Sequence, residues 1–265
     1  MNKPFYLFSL FIFVTQLLFA QGGRLTAMGN NGAAVKDIWG TAANPAAIGN
    51  IKLPTLHISY ENYSFANELR SEAMAFVFPN KRFSFGLSLQ RYGIPEFHTL
   101  QTGLVFTKQF GPDFSIGLRT NYHQIHIRNY GTTTGISLDI GTFYQLSEEV
   151  ALGFYFNNPL KQAYFTKAIN ITIPTSAYLG IAYKTSSKFL LASTLSKELH
   201  LPWNVAFGMD YQISSSLSMR SGISLMPYKL HFGIGFNLQH FNIDFTLTTQ
   251  SDIGYSPQIT IGYVF

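Results

Sequence analysis

Ile259-Thr260-Ile261-Gly262-Tyr263-Val264-Phe265 closes the chain. Apolar or aromatic side chains at 259, 261, 263 and 265 alternate with small or polar neighbours. A period of two puts one set on each face of an extended strand. The pattern recurs upstream. Phe83, Phe85, Leu87 and Leu89 alternate with Ser84, Gly86, Ser88 and Gln90; Leu230, Phe232, Ile234 and Phe236 with His231, Gly233, Gly235 and Asn237; Phe241, Ile243, Phe245 and Leu247 with Asn242, Asp244, Thr246 and Thr248.

From Leu53 onward the alternation predicts fourteen strands, over 54–62, 69–78, 83–92, 97–109, 113–125, 133–145, 149–157, 174–184, 188–197, 203–213, 217–225, 229–238, 241–249 and 257–265. Each is close to the roughly 9–11 residues that a tilted strand needs to cross a bilayer. Segment 188–197 has the weakest pattern. Short polar links, such as Gly111-Pro112 and Gln239-His240, alternate with longer ones at 63–68, 93–96, 126–132, 158–173, 198–202 and 250–256; Met226–Lys229 breaks that alternation. Short turns on one side and longer loops on the other fit a transmembrane barrel. An even strand count returns both termini to one side, the periplasmic one for an exported chain.

The bulk composition agrees. Charged residues are 12% and aromatics 16%, with 25 Phe and 15 Tyr. No segment after residue 20 has the eighteen or so unbroken apolar residues of a membrane helix. Trp203, Tyr211, Tyr144, Tyr183 and Tyr263 fall at strand ends on the apolar face, where indole and phenol rings favour the headgroup zone. The other face is mostly Gly, Ser, Thr and Asn. A soluble sandwich would wet that face with charge, so the composition suits a filled lumen better.

Residues 1–20 read as a secretory signal: Lys3, an apolar run from Phe5 to Phe19, then Ala20, with Gln21 as the mature start. Cys is absent, which excludes a lipid-anchored cysteine and disulfides. Residues 21–53 lack alternation and are rich in Gly and Ala, with a break at Asn44-Pro45. They read as a closely packed plug of short helical turns, leaving 54–265 as the barrel.

Candidate chemistry is sparse. The +5 net charge is scattered and forms no basic run, which argues against nucleic acid. His123 and His126 are three apart and face opposite sides of a strand, and the other five His are dispersed. No metal site or cofactor is expected. No G-x-S-x-G elbow or phosphate loop occurs, so no enzyme is expected. Hairpin arithmetic, with the turn centred on Asn129, sets Arg119 opposite Asp139; a turn at Ser214–Ser216 sets Asp210 opposite Arg220. Both pairs fall on the inward parity, as plug-docking or lumen charges.

Gly23-Arg24-Leu25-Thr26-Ala27-Met28-Gly29, then Asp37 and Ala42-Ala43-Asn44-Pro45-Ala46-Ala47-Ile48, resembles the start of the PorV/PorQ group of Bacteroidetes outer-membrane proteins, relatives of the FadL fatty-acid channels. The match carries over at Asn44, Pro45 and Ala46. The resemblance implies a fourteen-stranded antiparallel barrel plugged from the periplasm, with Tyr263 and Phe265 in the terminal insertion signal. It implies membrane lipid and the barrel-assembly machinery as partners. For function it implies a component of type IX protein secretion or surface delivery, with secretion proteins as partners. The alternative is a FadL-like passive channel for small hydrophobic molecules. The longest outer link, 158–173, is short for FadL-type capture and equally short for holding a cargo domain.

Overall fold

The computed structural model describes residues 22–66, 68–165, 172–251 and 254–265. The expected signal peptide and the start at Gln21 lie outside the described residues. The fold is all-β. The strands are β1 (Thr55–Asn62), β2 (Arg70–Pro79), β3 (Phe83–Gly93), β4 (Phe97–Phe110), β5 (Phe114–Ile127), β6 (Gly131–Gln145) and β7 (Val150–Asn157). They continue as β8 (Ser176–Ser186), β9 (Phe189–Glu198), β10 (Trp203–Gln212), β11 (Leu217–Leu225), β12 (Tyr228–Leu238), β13 (Phe241–Gln250) and β14 (Gly254–Val264). Each pairs with its sequence neighbours, and β14 returns to β1 from Thr55↔Val264 to Glu61↔Gln258. Closure removes the free edges that a membrane interior cannot tolerate.

Burial is inverted relative to a water-soluble protein. Leu104 is 64% exposed and Phe232 50%, whereas Thr107 and Thr260, on the opposite face, are at most 1% exposed. At roughly 25 cal/mol per Å² of apolar surface, an all-round belt of outward Phe, Leu and Ile requires hydrocarbon around it. The molecule is a fourteen-stranded antiparallel transmembrane barrel.

The two ends differ. The near end holds Pro54, Phe265 and the tight links, such as 111–113 and 187–188. Among the described residues the far end holds 63–66, 94–96, 128–130, 158–165, 172–175, 199–202 and 226–227. The far link expected over 126–132 is tight instead. β5 and β6 stay paired to Ile127↔Gly131, and Asn129 (φ 68°) and Gly131 (φ 94°) turn the chain. Over 126–132 polar Thr and Asn interrupt the apolar period, so the pattern alone reads as loop. Beyond the lipid belt the ladder no longer needs that period.

Residues 22–51 lie inside the barrel as α1 (Gly23–Ala27) and two 3₁₀ turns, Ile38–Thr41 and Pro45–Asn50. The core is therefore the lumen. Leu25, Met28, Trp39, Ala46 and Ile48 pack there with inward Ala75, Val77 and Phe143.

Candidate functional site

The plug is small-residued because the wall comes very close. A Cβ added at Gly153 would lie 1.8 Å from the Ala33 carbonyl oxygen, and one at Gly208 2.1 Å from the Met28 carbonyl oxygen. At Gly222 it would meet the Gly29 amide at 2.3 Å, and at Gly117 the Pro45 carbonyl carbon at 2.3 Å. Glycine at these inward positions lets two backbones touch.

Asn44, Pro45 and Ala46 sit where the plug meets β4, β5 and β6. Asn44 is fully buried and caps the second 3₁₀ turn: its Oδ1 accepts from the Ala46 amide at 3.0 Å. Its Nδ2 donates to the Ala33 carbonyl at 2.7 Å and to the Thr142 carbonyl of β6 at 2.9 Å. Pro45 occupies the first helical position, where its missing N–H costs nothing. The Pro45 carbonyl accepts from Thr107 at 2.6 Å and the Ala46 carbonyl from Ser115 at 2.9 Å.

Two charge clusters fasten the plug. In the first, Arg119 of β5 donates from Nε to Asp139 of β6 at 2.8 Å, both side chains almost wholly buried. Arg119 Nη1 also donates to the plug carbonyls of Thr41 (2.9 Å) and Ala43 (3.2 Å), and Nη2 to Asn157. Asp139 accepts further bonds from Asn121 and the Asn158 amide.

In the second cluster, Arg220 of β11 faces Asp210 of β10 in the ladder and bonds it at 3.1 Å; Arg220 also pairs with Asp244 of β13. Arg24 of the plug donates to Asp210 at 2.9 Å and to its plug neighbour Asp37 at 3.0 Å. Burial works against the Arg24 charge, but the Asp210 and Asp37 carboxylates outweigh it and raise its pKa. Arg24, Asp37 and Asp244 escaped hairpin arithmetic. Asp244 stands across from Gly235, and that glycine leaves the space in which the Arg220–Asp244 pair sits. Inward parity alone could have singled out Asp244.

The plug divides two cavities. The far one, about 420 Å³, is floored by Thr26, Gly29 and Asn30 and walled by residues including Tyr155, Tyr178, Glu198 and Lys229. The near one, about 510 Å³, is bounded by Arg24, Asp37, His57, Lys184, Asp210 and Arg220. Beside the far cavity the 158–175 link folds inward: Tyr164 bridges to Gly135, and its ring meets His123 edge-on. Its length does not rise as a free outer loop where described; 166–171 lie outside the described residues.

His123 is bonded to Ser137, and His231 to Ser224 and Thr248. Among the described residues no group of three or more His, Asp or Glu is placed to hold a metal. At the near end Tyr263 packs edge-on against Phe241 and Phe265, and the Phe265 amide bonds the Pro54 carbonyl at 3.0 Å, across the β1–β14 seam.

No protein-family profile matches the chain, and no curated protein matches its sequence. Solved structures do resemble it. The CymD monoaromatic hydrocarbon channel superposes with a TM-score of 0.76 at 15% identity, over 94% of this chain and 98% of that one. The Ralstonia pickettii toluene transporter TbuX gives 0.73 at 13% identity, over 94% and 100%. A Pseudomonas aeruginosa FadL homologue gives 0.67 at 12% identity, over 92% and 98%. At such identities the likeness is one of fold: the plugged fourteen-stranded barrel has the architecture of these structures.

Proposed function

We propose that this barrel is a non-catalytic, plug-gated passive channel for small hydrophobic solutes. It would sit in a bacterial outer membrane with both termini on the periplasmic side. One observation carries the reading: two cavities share one lumen and are separated by a plug held by side-chain bonds. Thr26, Gly29 and Asn30 floor the far cavity, and Arg24 and Asp37 bound the near one, so displacement of residues 24–30 would join them. The fold-level neighbours include proteins described as hydrocarbon channels and transporters, which favours a conduit over the export role. The PorV/PorQ resemblance alone supports secretion proteins as partners.

The test is uptake of toluene and of a hydrophobic dye by proteoliposomes. Wild-type protein is expected to exceed protein-free liposomes. Arg24→Ala, which frees α1 from Asp210, is expected to raise uptake severalfold. If neither protein exceeds the lipid background for any small solute, the channel reading fails.

A further inference from the structure

The far cavity is not lined as a hydrocarbon site would be. Ligand pockets generally combine apolar surface with a few placed polar groups, at about 300–1,000 Å³; this one, at about 420 Å³, is large enough for a single-ring compound. Its wall holds two inward tyrosines, Tyr155 of β7 and Tyr178 of β8, directly opposite in the ladder. Their rings stack at 4.2 Å and 3°. Ser176 pairs with Glu198 and Tyr178 with Ser196. Glu198 is therefore the diagonal inward neighbour of Tyr178, about 7–8 Å away in Cα terms and within reach of a long side chain.

Among the described residues, the two carboxylates of the cavity are held differently. Glu61 accepts a hydrogen bond from Tyr63 at 3.1 Å and is attracted to Lys229. The Glu198 side chain receives no hydrogen bond from any described residue, and His200 lies within electrostatic reach of it. A carboxylate with open acceptor positions beside a stacked ring pair favours a partner with two features. One is a hydrogen-donating cation, which makes strong charge-assisted bonds and is drawn to aromatic faces. The other is a flat apolar body that packs on the partly exposed Tyr178.

We propose that the far cavity is a capture site for a small aromatic amphiphile bearing a cationic amine, with Glu198 reading the amine and Tyr178, backed by the buried Tyr155, the ring. This rests on the channel reading and narrows its solute class.

Three probes with the same ring separate the possibilities: benzylamine (cationic), toluene (neutral) and benzoate (anionic). Binding is measured calorimetrically on the detergent-solubilised full chain. Benzylamine is expected to bind about tenfold tighter than toluene, the scale of one charge-assisted bond, and benzoate weakest. Glu198→Gln should bring benzylamine down to toluene. Lys229→Gln, which removes a competing cation and leaves Glu198 in place, should raise benzylamine affinity severalfold and serves if the first variant folds poorly. Equal or tighter binding of toluene or benzoate overturns the assignment. So does a benzylamine preference that survives Glu198→Gln. If toluene crosses proteoliposomes while benzylamine shows no advantage, only this inference falls. If none of the three binds or crosses, even through Arg24→Ala, the channel reading falls with it.

Discussion

Arg119 illustrates how one side chain can set the state of the lumen. Its guanidinium holds Asp139 on the wall and two carbonyls on the plug, with no water-exposed alternative for any of them. Removing one partner of a buried pair typically costs about 3–5 kcal/mol, because the other is left charged and unpaired. Arg119→Ala is therefore expected to lower the temperature at which the barrel loses its compact gel mobility. Arg119→Ala/Asp139→Ala should recover part of the loss; a single variant as heat-stable as wild type would count against the clamp. The pairing could be read from sequence because a hairpin has a constant index sum once its turn is known, and Asn129 at positive φ is that turn. The carbonyl contacts could not be read, because backbone oxygens leave no trace in residue identity. Arg24 was hidden for the same reason: nothing in the local pattern says which strand a plug residue meets.

At the scale of elements, strands were easier to read than links. All fourteen appear within three residues of their expected bounds, even β9, since the lipid belt imposes a strict period on every one. Links are under no such constraint, so the polar run over 126–132 reads as loop while the hairpin runs on to a three-residue turn. The second 3₁₀ turn shows what Asn-Pro-Ala accomplishes: cap, fixed φ and a small side chain in a tight space. Asn44→Asp separates these roles. It retains the oxygen that accepts from Ala46 but replaces the donor to Ala33 and Thr142 with an anion facing two carbonyls. Loss of a cap alone costs about 1 kcal/mol. Asn44→Asp, despite keeping it, is expected to destabilise at least as much as Asn44→Ala, measured by limited proteolysis of the plug in the folded barrel. A more protected Asp variant would show that the cap, not the wall contact, holds the turn.

For the whole molecule, an apolar exterior and a polar lumen filled by the chain's own first segment explain why composition alone pointed to a barrel and said little about a solute. Deleting residues 22–50 should leave the wall closed, since β1–β14 pairing and the Arg119–Asp139 and Arg220–Asp210 pairs do not depend on the plug. The expected outcome is a steady ohmic conductance in planar bilayers where the full chain is nearly silent; a silent deletion variant with a folded barrel would move the obstruction to the far-end loops. One feature of the plug makes this barrier directional. Ile51 to Pro54 leads straight into β1 at the near end, whereas Gly29 and Asn30 at its tip face the far cavity. It is thus a cork on a short leash. A tug from the compartment beneath would draw it into the near cavity, whereas a push from there would be checked by the short Ile51–Pro54 leash, so the barrel should yield more readily to force applied as a pull.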